Sequence, residues 1–295
     1  MSNAWYELRI QVTPETKESI TDYLFGIGVE AVNESLTQPS LLQVYVSAEA
    51  RDNVIQQLKD FWPSLVQQHP TLSSLSINAV EIPDENWAEE YKKYYTAQPL
   101  TDLFFLRPEW DKTTPIPNGM IPVVMDPGQA FGTGLHPSTK LCLKTIQSQI
   151  LESTQREKLK CLDVGTGTGI LALAAYHLGT ERVVGIDNDP IAIEVAKQNM
   201  ILNGVQGIQL STQDIKSLKT QFDFVISNIL LETHRELSRE YARLIPQGGL
   251  LLLSGLLGCQ KLELFSFILP LGFSVLECKN YQEWASFLFV RRDKP

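Results

Sequence analysis

The stretch Lys160-Cys161-Leu162-Asp163-Val164-Gly165-Thr166-Gly167-Thr168-Gly169-Ile170-Leu171-Ala172-Leu173-Ala174-Ala175 constrains this chain more than any other. An apolar run stops at a turn with glycine at every second position, and small apolar residues at helical density follow. This order predicts a buried parallel strand, a tight turn and a helix packed on the strand. Alternate glycines let the backbone approach a ligand closely and leave amide N–H groups pointing outward, where a helix N-terminus adds partial positive charge. Such a turn holds a nucleotide. Further on, Arg182-Val183-Val184-Gly185-Ile186-Asp187 reads as a second strand ending in an acid placed for a pair of ribose hydroxyls.

The glycines fit two frames. From Gly165 the spacing is G-x-G-x-G, which resembles the first motif of S-adenosylmethionine-dependent methyltransferases. From Gly167 it is G-x-G-x-x-A, ending at Ala172, which satisfies the dinucleotide fingerprint with Asp187 about twenty residues later. The rest of the chain has to decide between them.

A length of 295 residues with 43% hydrophobic and 20% charged content allows a sizeable core and one large or two ordinary domains. No apolar run reaches the roughly 18 residues of a membrane span, and the start lacks a signal-peptide layout, so a cytoplasmic protein away from membranes is expected. Cys142, Cys161, Cys259 and Cys278 stand far apart with no C-x-x-C, which predicts buried free thiols and no metal. A net charge of −9 argues against direct nucleic-acid binding and suits a basic or neutral partner.

Taken in order, the first part of the chain alternates on its own plan. Strands are predicted over Trp5–Val12, Ala31–Glu34, Leu41–Val46 and Leu75–Ile82, with helices over Pro14–Leu24 and Glu49–Trp62. The order βαββαβ is ferredoxin-like, giving a first domain over 1–82 that carries no catalytic constellation. Pro83 to Tyr95 is polar and aromatic, and predicts a linker helix within 83–100, its Glu89 spaced for pairs with Lys92 and Lys93. The larger domain, 101–295, opens with paired strands at Leu103–Leu106 and Ile121–Met125. A glycine-rich loop follows, Asp126-Pro127-Gly128-Gln129-Ala130-Phe131-Gly132-Thr133-Gly134-Leu135-His136, and runs into a helix with Pro137 at its first position and Ser138 and Thr139 in its first turn. Glycines around Phe131 suggest a cover over a ligand. His136, before a proline at a helix start, reads as a cap rather than a base.

After the Gly165 turn the doubly wound alternation continues. Asp189-Pro190 caps a helix that ends at Asn203-Gly204, Ile208–Leu210 is a third strand, Phe222–Ser227 a fourth ending in Asn228, and Leu250–Leu253 a fifth. A helix over Cys259–Phe267 leads to a closing hairpin, Phe273–Cys278 with Ala285–Val290. An antiparallel last strand separates methyltransferase sheets from ordinary dinucleotide sheets. The expected fold is an α/β, doubly wound, mostly parallel seven-stranded sheet with the small α+β domain in front.

Together these pieces resemble the ribosomal protein L11 methyltransferase (PrmA) family. The residues that carry the resemblance are Asn86-Trp87, Asp126-Pro127-Gly128, Phe131-Gly132-Thr133-Gly134, His136-Pro137-Ser138-Thr139, Asp163 to Gly169, Asp187 with Asp189-Pro190, and Asn228-Ile229-Leu230. The resemblance spans nearly the whole chain. It implies an S-adenosylmethionine-dependent enzyme that methylates lysine side chains and the N-terminal amine of one large-subunit ribosomal protein, which the first domain holds.

Carried over by residue, the resemblance implies that Gly165, with Gly167 and Gly169 nearby, approaches the methionine end of the cofactor and that Asp163 belongs to the cofactor-binding residues. Asp187 takes the ribose hydroxyls, and Thr139 meets the cofactor under the Phe131, Gly132 and Thr133 loop. Asp214 is a candidate for the adenine amino group, and Asn228 lies at the point of methyl transfer. The chain departs from its relatives at Leu231-Glu232-Thr233-His234, where they tend to carry a small residue and then Pro-Leu.

Three other readings compete. A nucleic-acid base methyltransferase would want an aromatic three residues after Asn228, where Leu231 stands. A nicotinamide-dependent dehydrogenase would need a catalytic His, Lys or Tyr beside the fingerprint. A non-catalytic docking protein would have no use for the glycines and acids.

Overall fold

In Leu41–Ser47 every second side chain turns inward: Leu42, Val44 and Val46 are buried and the residues between them half-exposed. A period of two is what a strand with one covered face requires. The computed structural model describes residues 5–27, 29, 32–34, 40–69, 75–82, 95–126 and 132–292. It divides into two compact units, Met1–Tyr95 and Thr96–Pro295. Residues 83–94 of the linker helix expected over 83–100 and the loop residues 127–131, Phe131 among them, lie outside the described residues.

The first unit runs β1 (Trp5–Gln11), α1 (Pro14–Gly26), β2 (Val32–Glu34), β3 (Leu41–Ser47), α2 (Ala48–Gln68) and β4 (Ile77–Ile82). Its sheet has the order β2-β3-β1-β4 with every neighbour antiparallel, the ferredoxin-like plan. Leu8 and Ile10 of β1 meet Ile20 and Leu24 of α1 and Val54, Leu58 and Leu65 of α2. The hydroxyl of Ser47 caps α2 by accepting the Ala50 N–H at 3.3 Å. α2 passes the expected end at Trp62 in spite of Pro63. Proline forfeits one helical hydrogen bond, but Leu65 continues the Val54 and Leu58 stripe and is 1% exposed, and that burial offsets the loss.

The second unit opens with β5 (Gln98–Pro99), β6 (Phe104–Pro108) and β7 (Ile121–Met125). No helix runs through residue 100. Gln98 and Pro99 pair with Leu106 and Phe105, and the Leu100 N–H donates to the Phe104 carbonyl at 2.9 Å. β6 and β7 are parallel, so residues 109–120 form a crossover without a helix. Asp111 organises its start, accepting from the backbone and hydroxyl groups of Thr113 and Thr114, and these donors hold its carboxyl at about 2.

The main sheet comprises β8 (Lys160–Val164), β9 (Arg182–Ile186), β10 (Ile208–Ser211), β11 (Phe224–Asn228), β12 (Leu250–Leu257), β13 (Phe273–Tyr281) and β14 (Trp284–Arg291), in the order β10-β9-β8-β11-β12-β14-β13. The first five are parallel; β14 runs antiparallel to β12 and β13 antiparallel to β14. The accompanying helices are α3 (Pro137–Glu152), α4 (Ile170–His177), α5 (Pro190–Leu202), α6 (Leu231–Leu244) and α7 (Lys261–Ile268). The chain winds from β8 toward β9 on one side and continues at β11 on the other. The carboxyl ends of β8 and β11 therefore flank the crevice where open α/β sheets bind ligands. All four cysteines are free, but only Cys142 and Cys161 are buried. Cys259 and Cys278 are exposed because a one-turn helix after β12 and the edge strand β13 carry them on their outer faces.

Candidate active site

The turn after β8 has the shape its glycines predict. Gly165, Gly167 and Gly169 take φ values of 72°, 53° and 81°, a region that costs other residues backbone strain. The N–H groups of Gly165 and Thr166 both donate to the Ile186 carbonyl, at 2.9 and 3.0 Å. A Cβ on Gly165 would lie 2.5 Å from Cγ2 of Ile229. The turn and the end of β11 can thus touch only because that residue has no side chain.

Two acids shape the turn from different sides. Asp163 is 1% exposed. Its Oδ2 accepts the Thr166 hydroxyl at 2.7 Å and the Ala172 N–H at 3.2 Å, which caps α4 from beneath. Burial pushes its carboxyl up to about 7 against the lowering effect of those two donors. Asp163 serves the crevice through the form of the turn, since it offers almost no surface of its own. Asp187, half-buried just past β9, accepts the Gly167 N–H at 2.9 Å through Oδ2 and the Asp189 N–H at 3.1 Å through Oδ1. The acid is thereby fixed beside the glycines with lone pairs remaining for hydroxyl donors.

The described end of the glycine-rich loop docks on the same turn. Thr168 donates its hydroxyl to the Gly132 carbonyl at 2.6 Å, and Asn199 of α5 donates to the Thr168 carbonyl at 3.0 Å. The Asn199 Oδ1 in turn accepts the Asp126 N–H at 2.9 Å, where the loop leaves β7. One helix turn on, Asn203 exchanges hydrogen bonds with both backbone groups of Val124, at 2.9 and 2.6 Å. The Leu135 N–H lies 3.4 Å from the Thr133 hydroxyl. His136 caps α3, its Nδ1 accepting the Ser138 N–H at 3.3 Å and lying 2.7 Å from the Ser138 hydroxyl. Its ring packs edge-on against Trp284 with centroids 4.5 Å apart. Burial lowers the pKa of His136, opposed by the charge of Glu283.

Asn228, the last residue of β11, is 9% exposed. It donates through Nδ2 to the Thr139 hydroxyl at 3.4 Å, so the two residues expected to flank the reacting atoms do meet. Its Oδ1 is buried with no hydrogen-bond partner among the described residues. A buried acceptor without a donor costs roughly 1–3 kcal/mol, and a ligand N–H relieves that cost. Leu230, two residues on, is 66% exposed at the start of α6. Asp214 stands apart: it is exposed, and its Oδ1 accepts from the Lys216 N–H in a one-turn helix. A cavity of about 410 Å³ bordered by Arg243, Pro246 and Arg291 lies at the opposite ends of the strands and includes none of these residues.

A glycine turn, a fixed acid at the second strand and a bare amide oxygen at the fourth suit an adenosyl ligand with an amine opposite it. The sequence model of the family described as ribosomal protein L11 methyltransferase (PrmA) matches residues 4–292. The chain belongs to this family. An L11 methyltransferase of Pediococcus pentosaceus is 31% identical over 317 residues, covering 98% of both chains. One of Bacillus subtilis is 29% identical over 311 residues, covering 96% of this chain and 98% of its own. The crystal structure of an L11 methylase from Lactobacillus delbrueckii subsp. bulgaricus superposes with a TM-score of 0.62 at 26% identity, covering 68% of this chain and all of that one. As an L11 methyltransferase the chain uses S-adenosylmethionine to methylate ribosomal protein L11. The G-x-G-x-G frame is therefore the operative one.

Several residues that hold the walls of this crevice in place escaped the sequence reading. Asn199 and Asn203 stand four apart on the Ala192 and Ala196 stripe of α5, and two amides on an otherwise apolar helical face are a usable signal. Trp284 reaches His136 from the first position of β14, and nothing local in the sequence points to that contact.

Proposed function

We propose that the crevice methylates lysine side-chain and N-terminal amines of L11, with Asn228 and the carbonyls that follow it receiving the amine N–H groups beside Thr139. The single observation that carries this reading is the buried, unpartnered Oδ1 of Asn228 at the switch point of the sheet. Gly165, Gly167 and Asp187 would hold the cofactor, Asp163 would support them, and the Phe131, Gly132 and Thr133 loop would cover it. S-Adenosylmethionine, when bound, supplies an activated methyl on a sulfonium.

What remains for the chain is alignment. Holding two reactants in line is worth about 7–11 kcal/mol. The amine has to be neutral when it attacks; from a reference lysine pKa near 10.4, deprotonation at pH 7 costs roughly 4.6 kcal/mol. A water-poor site disfavours the ammonium, and the acceptors that line it orient the lone pair of the free amine. Asn228 does not take the proton, since a carboxamide is no base at neutral pH. No titratable side chain is hydrogen-bonded to it among the described residues, which supports loss of the proton to water before the amine is seated.

The first unit is proposed to hold the substrate protein. The net charge of −9 supports a partner that is not a nucleic acid. No described helix is long and apolar enough to cross a membrane, and the cytoplasm, where ribosomes are assembled, is the proposed place of action. Incubation of the full chain with labelled S-adenosylmethionine and L11, followed by intact-mass measurement, tests the reading. L11 should gain mass in whole methyl increments. Label appearing on ribosomal RNA, with L11 unchanged, would replace this reading with base methylation.

A further inference from the structure

α6 begins directly after Asn228-Ile229-Leu230, and its N-cap residue Leu230 offers no capping side chain. A helix start that carries a site usually relies on Ser, Thr, Asp or Asn at that position. Here the fixing groups come from inside the sheet. The core-facing stripe of α6 is Leu231, His234, Ser238, Tyr241 and Leu244. His234 and Tyr241 are both fully buried, at 0% exposure. Buried imidazole and phenol groups are costly unless every polar atom finds a partner.

They find partners in one connected set. His234 Nε2 lies 2.9 Å from the Ser254 carbonyl and Nδ1 lies 3.1 Å from the Tyr241 hydroxyl. A carbonyl only accepts, so Nε2 carries the proton and Nδ1 receives the Tyr241 O–H. Burial pushes the histidine down to about 4, which keeps this neutral tautomer at neutral pH. The Ser254 carbonyl also accepts the N–H of Ile229 at 3.1 Å. A single oxygen thus joins α6 to the residue after Asn228. Its chain neighbour Gly255 has φ 82°, and a Cβ there would lie 2.4 Å from the Ile229 oxygen. β12 shifts register between Leu253 and Leu256 at that place, a bulge that brings bare backbone against the Ile229 peptide. On the far side, the Tyr241 oxygen packs 3.3 Å from the Ser227 oxygen; with its one proton turned to His234, the phenol makes only a packing contact there, while the Ser227 hydroxyl donates to the Val164 carbonyl at 3.0 Å. Ser227 precedes Asn228 and Val164 precedes Gly165. The set therefore ends beside both the proposed amine acceptor and the glycine turn.

We propose that His234 is a positioning residue for methyl transfer: through the Ser254 carbonyl it fixes the Asn228-Ile229-Leu230 turn, and so the place of the amine acceptors. This rests on the role given to Asn228 above. Among the described residues the Asn228 side chain itself is held only by the long contact to Thr139, so its aim depends on the backbone that His234 secures. A displacement of about 1 Å in a reacting group can cost roughly a hundredfold in rate.

Full-chain variants assayed on L11 decide the matter, with turnover, KM, cofactor affinity by calorimetry and Tm read together. His234→Leu fills the volume without the donor; kcat should fall about tenfold or more while cofactor affinity stays within about threefold. His234→Gln, whose amide N–H can reach the same carbonyl, should recover most of the lost kcat. If His234→Leu does not accumulate as folded protein, His234→Asn takes its place, since it keeps an acceptor toward Tyr241 and loses the donor to Ser254. Unchanged kcat in the donor-less variant would overturn the proposal, as would a Gln variant no better than it, or equal losses of kcat and cofactor affinity. If Asn228→Ala also left turnover unchanged, the acceptor role itself would fall; if only Asn228→Ala lost turnover, the failure would be confined to His234.

Discussion

On the β8 side of the crevice the parts lie close together in the chain. Asp163 reaches Thr166 over three positions and Ala172 over nine, and Asp187 reaches Gly167 over twenty. On the β11 side Asn228 meets Thr139 across 89 positions, and Ser227 meets the Val164 carbonyl across 63. The first half is a local motif that forms wherever one strand, turn and helix form with the next strand beside them. The second is assembled only when the whole sheet is in register. Its geometry should therefore be the more easily disturbed, and disturbing it should cost catalysis before it costs cofactor binding.

The largest effects should separate the halves outright. Asp187→Ala removes the acceptor of the Gly167 and Asp189 amides and the proposed ribose contact, so cofactor affinity measured by calorimetry should drop about a hundredfold or more. Asn228→Ala should leave that affinity within about threefold and lower turnover on L11 about a hundredfold. Full activity in the Asn228 variant would remove the contrast, because the β11 side would then carry no part of the chemistry.

The same difference in contact distance decides what could be read from the sequence. Strands, helices and the glycine turn follow from periodicity and spacing, and β8 to α5 were legible almost to the residue, together with the cap of His136 on α3. The length of α2 was not, because burial of Leu65 outweighs the local veto of Pro63. Nor was the His234, Tyr241 and Ser254 set, whose members lie seven and 20 positions apart and declare themselves only when α6 lies against β12. Asn228 was placed by resemblance. Its bare Oδ1 is a fact of packing that no spacing rule predicts.

An intermediate effect should come from a contact that joins the halves at the turn itself. Gly165→Ala brings a methyl to 2.5 Å from Ile229 Cγ2 and puts a side chain at φ 72°. The backbone strain alone costs about 1–3 kcal/mol. Cofactor affinity and turnover should fall together, by about tenfold each. Adding Ile229→Ala relieves the crowding and leaves the backbone strain, so the double variant should regain turnover more than affinity. Equal recovery of both would show that the two halves do not yield separately.

The smallest effect is one of slope, and it contrasts a buried acid of the β8 side with a buried base of the β11 side. Asp163 is raised by burial from 3.8 to about 7. Between those values the folded chain holds a proton that the unfolded chain has lost, so its contribution is full below pH 3.8 and is lost as pH rises through 7. His234 is lowered by burial from 6.5 to about 4. There the unfolded chain binds the extra proton, so its contribution is full above pH 6.5 and is lost as pH falls through 4. From pH 4 to 6.5 the two slopes oppose each other, each tending toward roughly 1.4 kcal/mol per pH unit. Asp163→Asn, which keeps an acceptor for Thr166 and Ala172, should leave the histidine slope uncovered, and urea stability should climb more steeply with pH than in the parent chain. His234→Gln should do the reverse, with stability declining from pH 4 toward 7. Stability curves for both variants that run parallel to the parent would mean that neither group keeps its shifted protonation in the folded chain. The tautomer that ties α6 to the Ser254 carbonyl would then need another source.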